Sequence, residues 1–560
     1  MAVPATGTAA RRRPGASDLA EEWLPDSPGW DVPDGHGGRP DVDGRPWPAD
    51  DAPRTTATRT RTRTRTRTGR TVVAPEDVPV VLGRHVLVDG LDLVVDLAAS
   101  RGRTLVDART GERYLDLYSF FASAPLGVNP PDLADNPDVV AELGRAALNK
   151  PANPDVATVA YAEFVATFAR VLGDPGLPHL FFVEGGALAV ENALKCAFDW
   201  KSRHNEAHGR PPELGTRVLH LRHAFHGRSG YTLSVTNTDP NKTARFPTFD
   251  WPRIDSPAQT FPVTAASLAA VRAAERRALD QAEEAFARHP HDIACVLAEP
   301  IQCEGGDRHL RPEFLAALGE LAHAHDALFV LDEVQTGVGA TGAAWCYQRL
   351  GLRPDVVAFA KKAQVGGVMA GGRVDEVPDN VFRVPGRINS TWGGGLVDMV
   401  RSTRMLEIME RDRLFDAAAR AGERLGAGLT ALAAAHPRLL SNPRGLGLLR
   451  AFDLPDRARR DEALRRLRVD ERVLALPAGD VTVRVRPALT ITDGEIDAAL
   501  TALGRVATAL ADPAGDPGDP NDPGDPGDGG DGGEGGVAAG RPAQALRSAT
   551  GSPPAYGDEA

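Results

Sequence analysis

The chain has 560 residues, a formal net charge of −12 and 42% hydrophobic residues, which makes it too long for one small core and too apolar in its middle to be unstructured throughout. The acidic balance argues against a general nucleic-acid binder, and the lack of any run of about 18 apolar residues argues against a membrane-spanning helix. Cys196, Cys295, Cys303 and Cys346 show no CxxC spacing, so neither a zinc site nor a disulfide framework is indicated, and a reduced, cytoplasmic compartment fits best.

Residues 1–75 are rich in Pro, Gly, Asp and Arg and hold little that could build a core, which predicts a disordered tail. Arg11, Arg12 and Arg13 are followed by Pro14 to Asp18 rather than an apolar stretch, so no export signal is read. Residues 59–68 alternate Arg and Thr strictly. Period two suits a strand, but with nothing apolar opposite the arginines it reads as a solvated low-complexity segment rather than a nucleic-acid arm.

The globular body begins near residue 76. Residues 86–97 and 104–118 read as short strands with turns at Asp89-Gly90 and Thr110-Gly111. Residues 156–172 read as a helix capped by Asp155 and ended by Gly173. A strand at 180–183 leads through Glu184, Gly185, Gly186 and Ala187 into a second helix. Strand, Gly-Gly turn, helix is the arrangement that aims backbone N–H groups and the positive end of a helix dipole at a phosphate, although a simple tight turn gives the same pattern. Neither GxGxxG nor GxxxxGKS is present, which argues against a nucleotide enzyme.

A buried strand at 218–221 leads to Phe225 and Arg228. At such a strand end they can stack on a flat ring and pair with a carboxylate, or serve as ordinary core and surface. Residues 266–287 read as a peripheral helix, and 293–298 as a strand ending in Glu299-Pro300. In the loop that follows, Glu304 stands before two glycines, where a carboxylate is free to move.

The chemistry concentrates at residues 328–367. One apolar run ends in Asp332 and Glu333, and a second, 355–360, ends in Lys361 and Lys362. Runs of this kind are fully buried strands of a parallel sheet, and ligands bind at the carboxyl ends of such strands. A carboxylate and an amine delivered to one sheet edge are what pyridoxal 5′-phosphate (PLP) chemistry requires. The amine forms a Schiff base with the aldehyde, and the carboxylate keeps the pyridine nitrogen protonated. Gln364 to Gly367 read as a turn that keeps bulk away from the amine. Residues 399–410, 414–435 and 493–511 read as amphipathic helices around strands at 448–452 and 481–486, and the Asp-Pro-Gly and Gly-Gly units from residue 512 predict a flexible acidic tail.

The segment LFVLDEVQTGVGATG, followed by RPDVVAFAKKAQVGG, closely resembles the signature of the class III, fold-type I, PLP-dependent aminotransferases. Within that class, ALNKPANPDV, HLFFVEGGALAVENALKCAFDWKSRHN, HLRHAFHGRSGYTLS, RFPTFDWPRID, VMAGGRVDEV and NSTWGG are similar to the L-lysine 6-aminotransferases. The resemblance covers the body and neither tail. It implies an α/β fold: a large PLP-binding domain over 126–396, with a mostly parallel sheet flanked by helices, and a smaller α+β domain from 76–125 and 397–511. The tails 1–75 and 512–560 flank them. A homodimer with shared active sites is also implied.

The resemblance assigns roles as well. Asp332 matches the pyridinium partner and Lys361, six residues after Asp355, matches the Schiff-base lysine ahead of Lys362. Gly186 and Ala187 would offer backbone N–H groups to the cofactor phosphate, Phe225 would stack on the ring, and Gln335 would contact the ring hydroxyl side near the Schiff base. Thr391 would reach the phosphate from the partner subunit, with Asn389 close by. Arg484, ahead of Arg486, would bind the α-carboxylate of glutamate or 2-oxoglutarate, and Arg228 the distal carboxylate. Glu304 would neutralise Arg484 when lysine is bound and swing away when 2-oxoglutarate arrives. Where the family has glycine this chain has Cys303, whose Cβ would restrict the loop that carries Glu304. The implied activity moves the ε-amino group of L-lysine to 2-oxoglutarate, giving 2-aminoadipate 6-semialdehyde and L-glutamate, without metal, nucleic acid or membrane. An ornithine or 4-aminobutyrate aminotransferase, or a non-catalytic binding protein of the same fold, are the alternatives.

Overall fold

The computed structural model describes residues 65–67, 70–88 and 90–511, in two units, residues 1–77 and 78–560. In the first, Arg65–Arg67 pairs antiparallel with Arg70–Val72, and Pro75–Asp77 makes a short 3-10 turn. A tail without strands was expected here. The period-two alternation instead takes up a short ladder, in which each strand supplies the other's backbone partners. The rest of that tail and the acidic tail from residue 512 lie outside the described residues.

The second unit is built on a seven-stranded sheet. Its order is His179–Val183, Gly366–Ala370, Val356–Phe359, Leu328–Asp332, Ile293–Ala298, Arg217–Leu221, Arg253–Ile254. The central strands are buried along their whole length because alternate side chains enter two different cores. Leu328, Val330, Val356 and Ala358 pack with Ala189, Ala193 and Trp200 of the helix Gly186–Ala207. Phe329, Leu331, Val357 and Phe359 pack with the helices Val159–Val171, Ala265–Arg288 and Pro312–Ala324 on the other face. Helices on both faces are why these strands read as unbroken apolar runs.

The pairings from Val356–Phe359 through Arg253–Ile254 are parallel, so the sheet is mostly parallel, as expected. Gly366–Ala370 runs antiparallel to both its neighbours. Gly366 and Gly367 are therefore not a turn but the start of a strand. Their lack of a side chain serves close packing: a Cβ on Gly367 would stand 2.5 Å from both the Phe181 carbonyl oxygen and the Phe359 ring.

Two other expectations shift. The helix expected over 156–172 starts at Val159, with the Thr158 hydroxyl accepting from the Tyr161 N–H at 3.1 Å. Thr158 rather than Asp155 fills the cap, so Val156 and Val159 stay exposed while Phe164 and Phe168 are buried. The stretch 86–97 forms no strand among the described residues. Only Val95 makes a bridge, to Asp107, and Val86, Leu87 and Val88 face outward. Asp89, in the turn expected there, lies outside the described residues.

Thr104–Val106 and Arg113–Asp116 pair as expected, and Val473–Leu474 joins them in parallel. This ties segments from before and after the large sheet into one small sheet. A four-stranded antiparallel sheet, Ser441–Leu446, Leu449–Asp453, Thr482–Val485 and Leu476–Ala478, carries Arg484. The helix Leu396–Arg411 packs on Val159–Val171 and Pro137–Ala147.

Phe168 is fully buried, with its ring 4.9 Å from that of Phe359 and 5.5 Å from that of Phe182. Phe168→Ala should cost about 3–5 kcal/mol, read as a lower urea midpoint. Val159→Ala, on the same helix but exposed, should change stability by less than about 0.5 kcal/mol.

Candidate active site

A cavity of about 560 Å³ opens at the carboxyl ends of Leu328–Asp332 and Val356–Phe359. The strands run parallel with Asp332 opposite Ala358, so Asp332 and Lys361 reach the same edge, as parallel pairing requires. Both line the cavity, together with Gly186, Ala187, Phe225 and Glu304; Gln335 and Arg228 complete the set of expected residues found there.

Lys361 and Lys362 are separated by geometry. Lys361 borders the cavity, whereas Lys362 donates its Nζ to the Gln335 carbonyl at 2.8 Å. Burial, reinforced by the Arg484 guanidinium, lowers the Lys361 pKa, which favours the unprotonated, nucleophilic amine. Burial and the charge of Lys361 lower Lys362 to about 7, so basicity alone would not tell the two apart.

Asp332 is buried, and both its oxygens are engaged. Oδ1 accepts from the Val334 N–H at 2.9 Å and Oδ2 accepts from His226 Nδ1 at 2.8 Å. With a carboxylate as acceptor, the His226 proton sits on Nδ1, and Nε2 has no hydrogen-bond partner among the described residues. Glu299, also on the cavity wall, accepts from the Phe225 N–H at 2.9 Å. Burial and then the negative charge of Asp332 push Glu299 well above the usual carboxyl range. Two carboxyls at one edge thus divide into one hydrogen-bonded acceptor and one neutral acid.

Glu304 bridges two cations. Its Oε2 accepts from Arg484 Nη2 at 2.8 Å and its Oε1 from Lys242 Nζ at 2.6 Å. Burial pushes its pKa up, but Arg484 and Lys242 outweigh that and hold it below the usual range. Arg484 also donates from Nη1 to Gln335 Oε1 at 3.2 Å. Arg486 faces the same glutamine but is committed to Asp307 and to the Arg450 carbonyl. Of the two arginines, only Arg484 pairs with Glu304.

The loop carrying Glu304 is pinned by its backbone. The Glu304 carbonyl accepts from the Gly479 N–H at 3.1 Å, and the Cys303 carbonyl from the Asp307 N–H at 3.1 Å. A Cβ on Gly305 would stand 2.0 Å from the His223 carbonyl oxygen, leaving glycine as the residue that fits. Cys303 packs in an apolar cluster with Ile301, Ala340, Cys346 and Leu449, and burial raises its thiol to about 12. With its backbone held in this way, the freedom left to Glu304 lies in its side-chain torsions.

Phe225 is half-buried, and Arg228 is exposed at the cavity rim. Thr391 and Asn389 are exposed and do not line this cavity. Their segment is held by Asn153 Nδ2, which donates to the Trp392 carbonyl at 2.9 Å, and by Lys150 Nζ, 3.6 Å above the Trp392 ring. His226, Glu299 and Lys242 are the residues sequence reasoning missed. Glu299 carried the same signal as Asp332, a carboxylate ending a buried strand, and His226 adjoins Phe225. Lys242 lies 62 residues from Glu304 in the chain and carried no local signal.

Among the described residues no cluster of His, Cys, Asp or Glu could hold a metal, and no helix is long and apolar enough to cross a membrane. The family model Aminotransferase class-III matches residues 88–507. The L-lysine-epsilon aminotransferase of Mycobacterium bovis is 62% identical over 429 residues, 77% of this chain and 95% of that protein. That of Amycolatopsis lactamdurans is 61% identical over 427 residues, 76% of this chain and 94% of that protein. The solved lysine aminotransferase of M. tuberculosis in its internal aldimine form aligns with a TM-score of 0.76 at 61% identity, covering 79% of this chain and 100% of the other. With its sheet edge, its cavity lysine and aspartate and these matches, the chain belongs to the class III aminotransferases, PLP-dependent enzymes of fold type I.

Proposed function

We propose that the enzyme transfers the ε-amino group of L-lysine to 2-oxoglutarate, yielding L-glutamate and 2-aminoadipate 6-semialdehyde, which cyclises to 1-piperideine-6-carboxylate. The observation that carries this reading is the Arg484–Glu304 pair, 2.8 Å apart, in which Glu304 lines the cavity that holds Lys361 and covers the buried guanidinium. An ω-amine donor brings no carboxylate to Arg484, whereas 2-oxoglutarate does, so one site serves both only if the arginine has a removable counter-ion. Relatives about 60% identical that carry a lysine-epsilon aminotransferase name support the choice of donor.

The residues fit PLP. Gly185, at φ +89°, leaves open space where a Cβ would stand, in front of the free N–H groups of the first turn of the helix Gly186–Ala207, a natural phosphate site. When bound, the cofactor supplies an aldehyde for the substrate amine and a ring that accepts electrons. Asp332, oriented by His226, would hold the proton of the ring nitrogen, and Phe225 and Gln335, which line the same cavity, would hold the ring in place. Lys361 Nζ removes the proton from the substrate ε-carbon. Arg228 at the rim pairs with the α-carboxylate of lysine, and with the γ-carboxylate of glutamate in the second half of the cycle.

We further propose a homodimer in which Thr391 and Asn389 serve the neighbouring subunit's site. Their exposure, and that of Trp392 and Leu148, support a surface that a second copy covers. A cytoplasmic setting suits four cysteines that are all buried and unpaired.

An absorbance spectrum of the holoenzyme titrated with L-lysine, without keto acid, should lose its long-wavelength band; L-ornithine and 4-aminobutyrate should act with much lower kcat/KM, and a preference for either would replace lysine as donor. Lys361→Ala should abolish turnover, and activity retained in that variant would move the role to Lys362. Glu299 gives a pH test. Its raised pKa means that the folded state keeps a proton the unfolded state releases above pH ~4.3, so its contribution to stability falls as pH rises from there. Glu299→Gln, which keeps an acceptor for the Phe225 N–H, should therefore gain melting temperature relative to the wild type as pH rises above ~4.3. Glu299→Ala should lose about 1–3 kcal/mol throughout.

A further inference from the structure

Behind Glu304 lies a second cavity, of about 650 Å³, walled by charged side chains such as Arg308, Arg444 and Asp453. Glu304 borders both this space and the cavity of Lys361, whereas Lys242 borders only the second. Lys242 ends the short turn Pro240–Lys242, whose cap Asp239 accepts from the Asn241 N–H at 2.9 Å. Its Nζ reaches Glu304 Oε1 at 2.6 Å and Thr238 Oγ1 at 3.2 Å, and stands 5.3 Å from the centre of the Phe225 ring. Glu304 is thus held by two cations, Arg484 on Oε2 and Lys242 on Oε1.

We propose that Lys242 is a positioning residue that retains Glu304 in the second cavity whenever a substrate carboxylate occupies Arg484, and so sets the affinity for the dicarboxylate acceptor. The inference rests on the lysine and 2-oxoglutarate reading above. Charge counting leads to it. With Arg484 as the one cation, an incoming carboxylate and Glu304 would leave the cluster one negative charge in excess. Lys242 brings it to two cations and two anions. The count covers only the groups in contact with Glu304: Arg486 pairs with Asp307 and Arg444 with Asp453, and Arg308 donates to the Ser256 carbonyl at 2.6 Å.

The direction of the effect follows from the contacts. While Arg484 holds Oε2, Lys242 has one oxygen of Glu304; once Arg484 is taken by substrate, Lys242 has both. A group shifts an equilibrium only by the difference between its interactions in the two states, and this difference favours the displaced glutamate. The short path also agrees with the pinned backbone: Glu304 need only rotate its side chain toward an amine it already touches.

The test uses holoenzyme, with glutarate as an unreactive dicarboxylate measured by calorimetry, and with KM for 2-oxoglutarate and for L-lysine. Lys242→Met and Lys242→Gln should each weaken glutarate binding and raise the KM for 2-oxoglutarate about tenfold more than they change the KM for L-lysine; Lys242→Arg should restore both. Equal losses for donor and acceptor, or no loss of glutarate binding in either variant, would overturn the role of Lys242. A fold defect in Lys242→Met leaves the question to Lys242→Gln, which keeps a donor to Glu304 without the charge. If wild-type enzyme bound glutarate but its spectrum did not respond to L-lysine, the choice of donor would fall, and the glutarate comparison would still read Lys242.

Discussion

A guanidinium that cannot lose its proton, in a place water barely reaches, must always have an anion beside it. Arg484 is 2% exposed, and leaving such a charge unpaired costs on the order of 3–5 kcal/mol. Glu304 meets that requirement in the structure, and under the proposed function a substrate carboxylate would meet it in turn. Specificity for two substrates of different charge then becomes a question of which anion holds the arginine. A neutral pocket could bind either carbon chain but would not link the choice of one to the departure of the other.

The same economy governs the other end of the cavity. Asp332 and Glu299 end neighbouring strands, Leu328–Asp332 and Ile293–Ala298, which pair in register. Like charges this close disfavour each other in a buried site, and burial together with the charge of Asp332 raises the Glu299 carboxyl. Asp332 has the His226 N–H and the Val334 N–H and stays the acceptor. Glu299 has a backbone N–H from Phe225 and becomes a neutral acid. Under the proposed function Asp332 would be the carboxylate left to hold a proton on the ring nitrogen, and Glu299 fastens the segment bearing Phe225 to the wall of the site.

What the sequence revealed, it revealed where the chemistry and the period coincide. Asp332 and Lys361 end apolar runs that only a doubly covered parallel sheet explains, and the Gly-Gly turn before the helix Gly186–Ala207 sits on the same edge. Gly366 and Gly367 misled because two glycines signal a turn, and the need for close packing between Phe181 and Phe359 is visible only once the strands are side by side. The residues 86–97 misled in the opposite way: their β-branched composition suits a strand, but a strand needs a partner, and Val95 alone finds one. Lys242 was illegible because its meaning is a distance across 62 residues of chain, which no local pattern records.

The antiparallel strand is also what fixes the reactive lysine. Between Val356–Phe359 and Gly366–Ala370 the chain must reverse within a few residues, whereas a parallel neighbour would have required a long crossover. The reversal puts Lys361 at φ +50° and Gln364 at φ +64°, a left-handed backbone that side chains other than glycine adopt only when the surroundings hold it. Those surroundings are specific. Gln364 Nε2 donates to the Ser123 carbonyl at 2.8 Å and to the Lys361 carbonyl at 3.1 Å, while Arg401 Nε donates to Gln364 Oε1 at 2.9 Å. Ser123 comes from the segment before the large sheet and Arg401 from the helix Leu396–Arg411. Segments nearly 280 residues apart thus brace one strained turn, and the amine that does the chemistry is aimed by the fold as a whole rather than by its own loop.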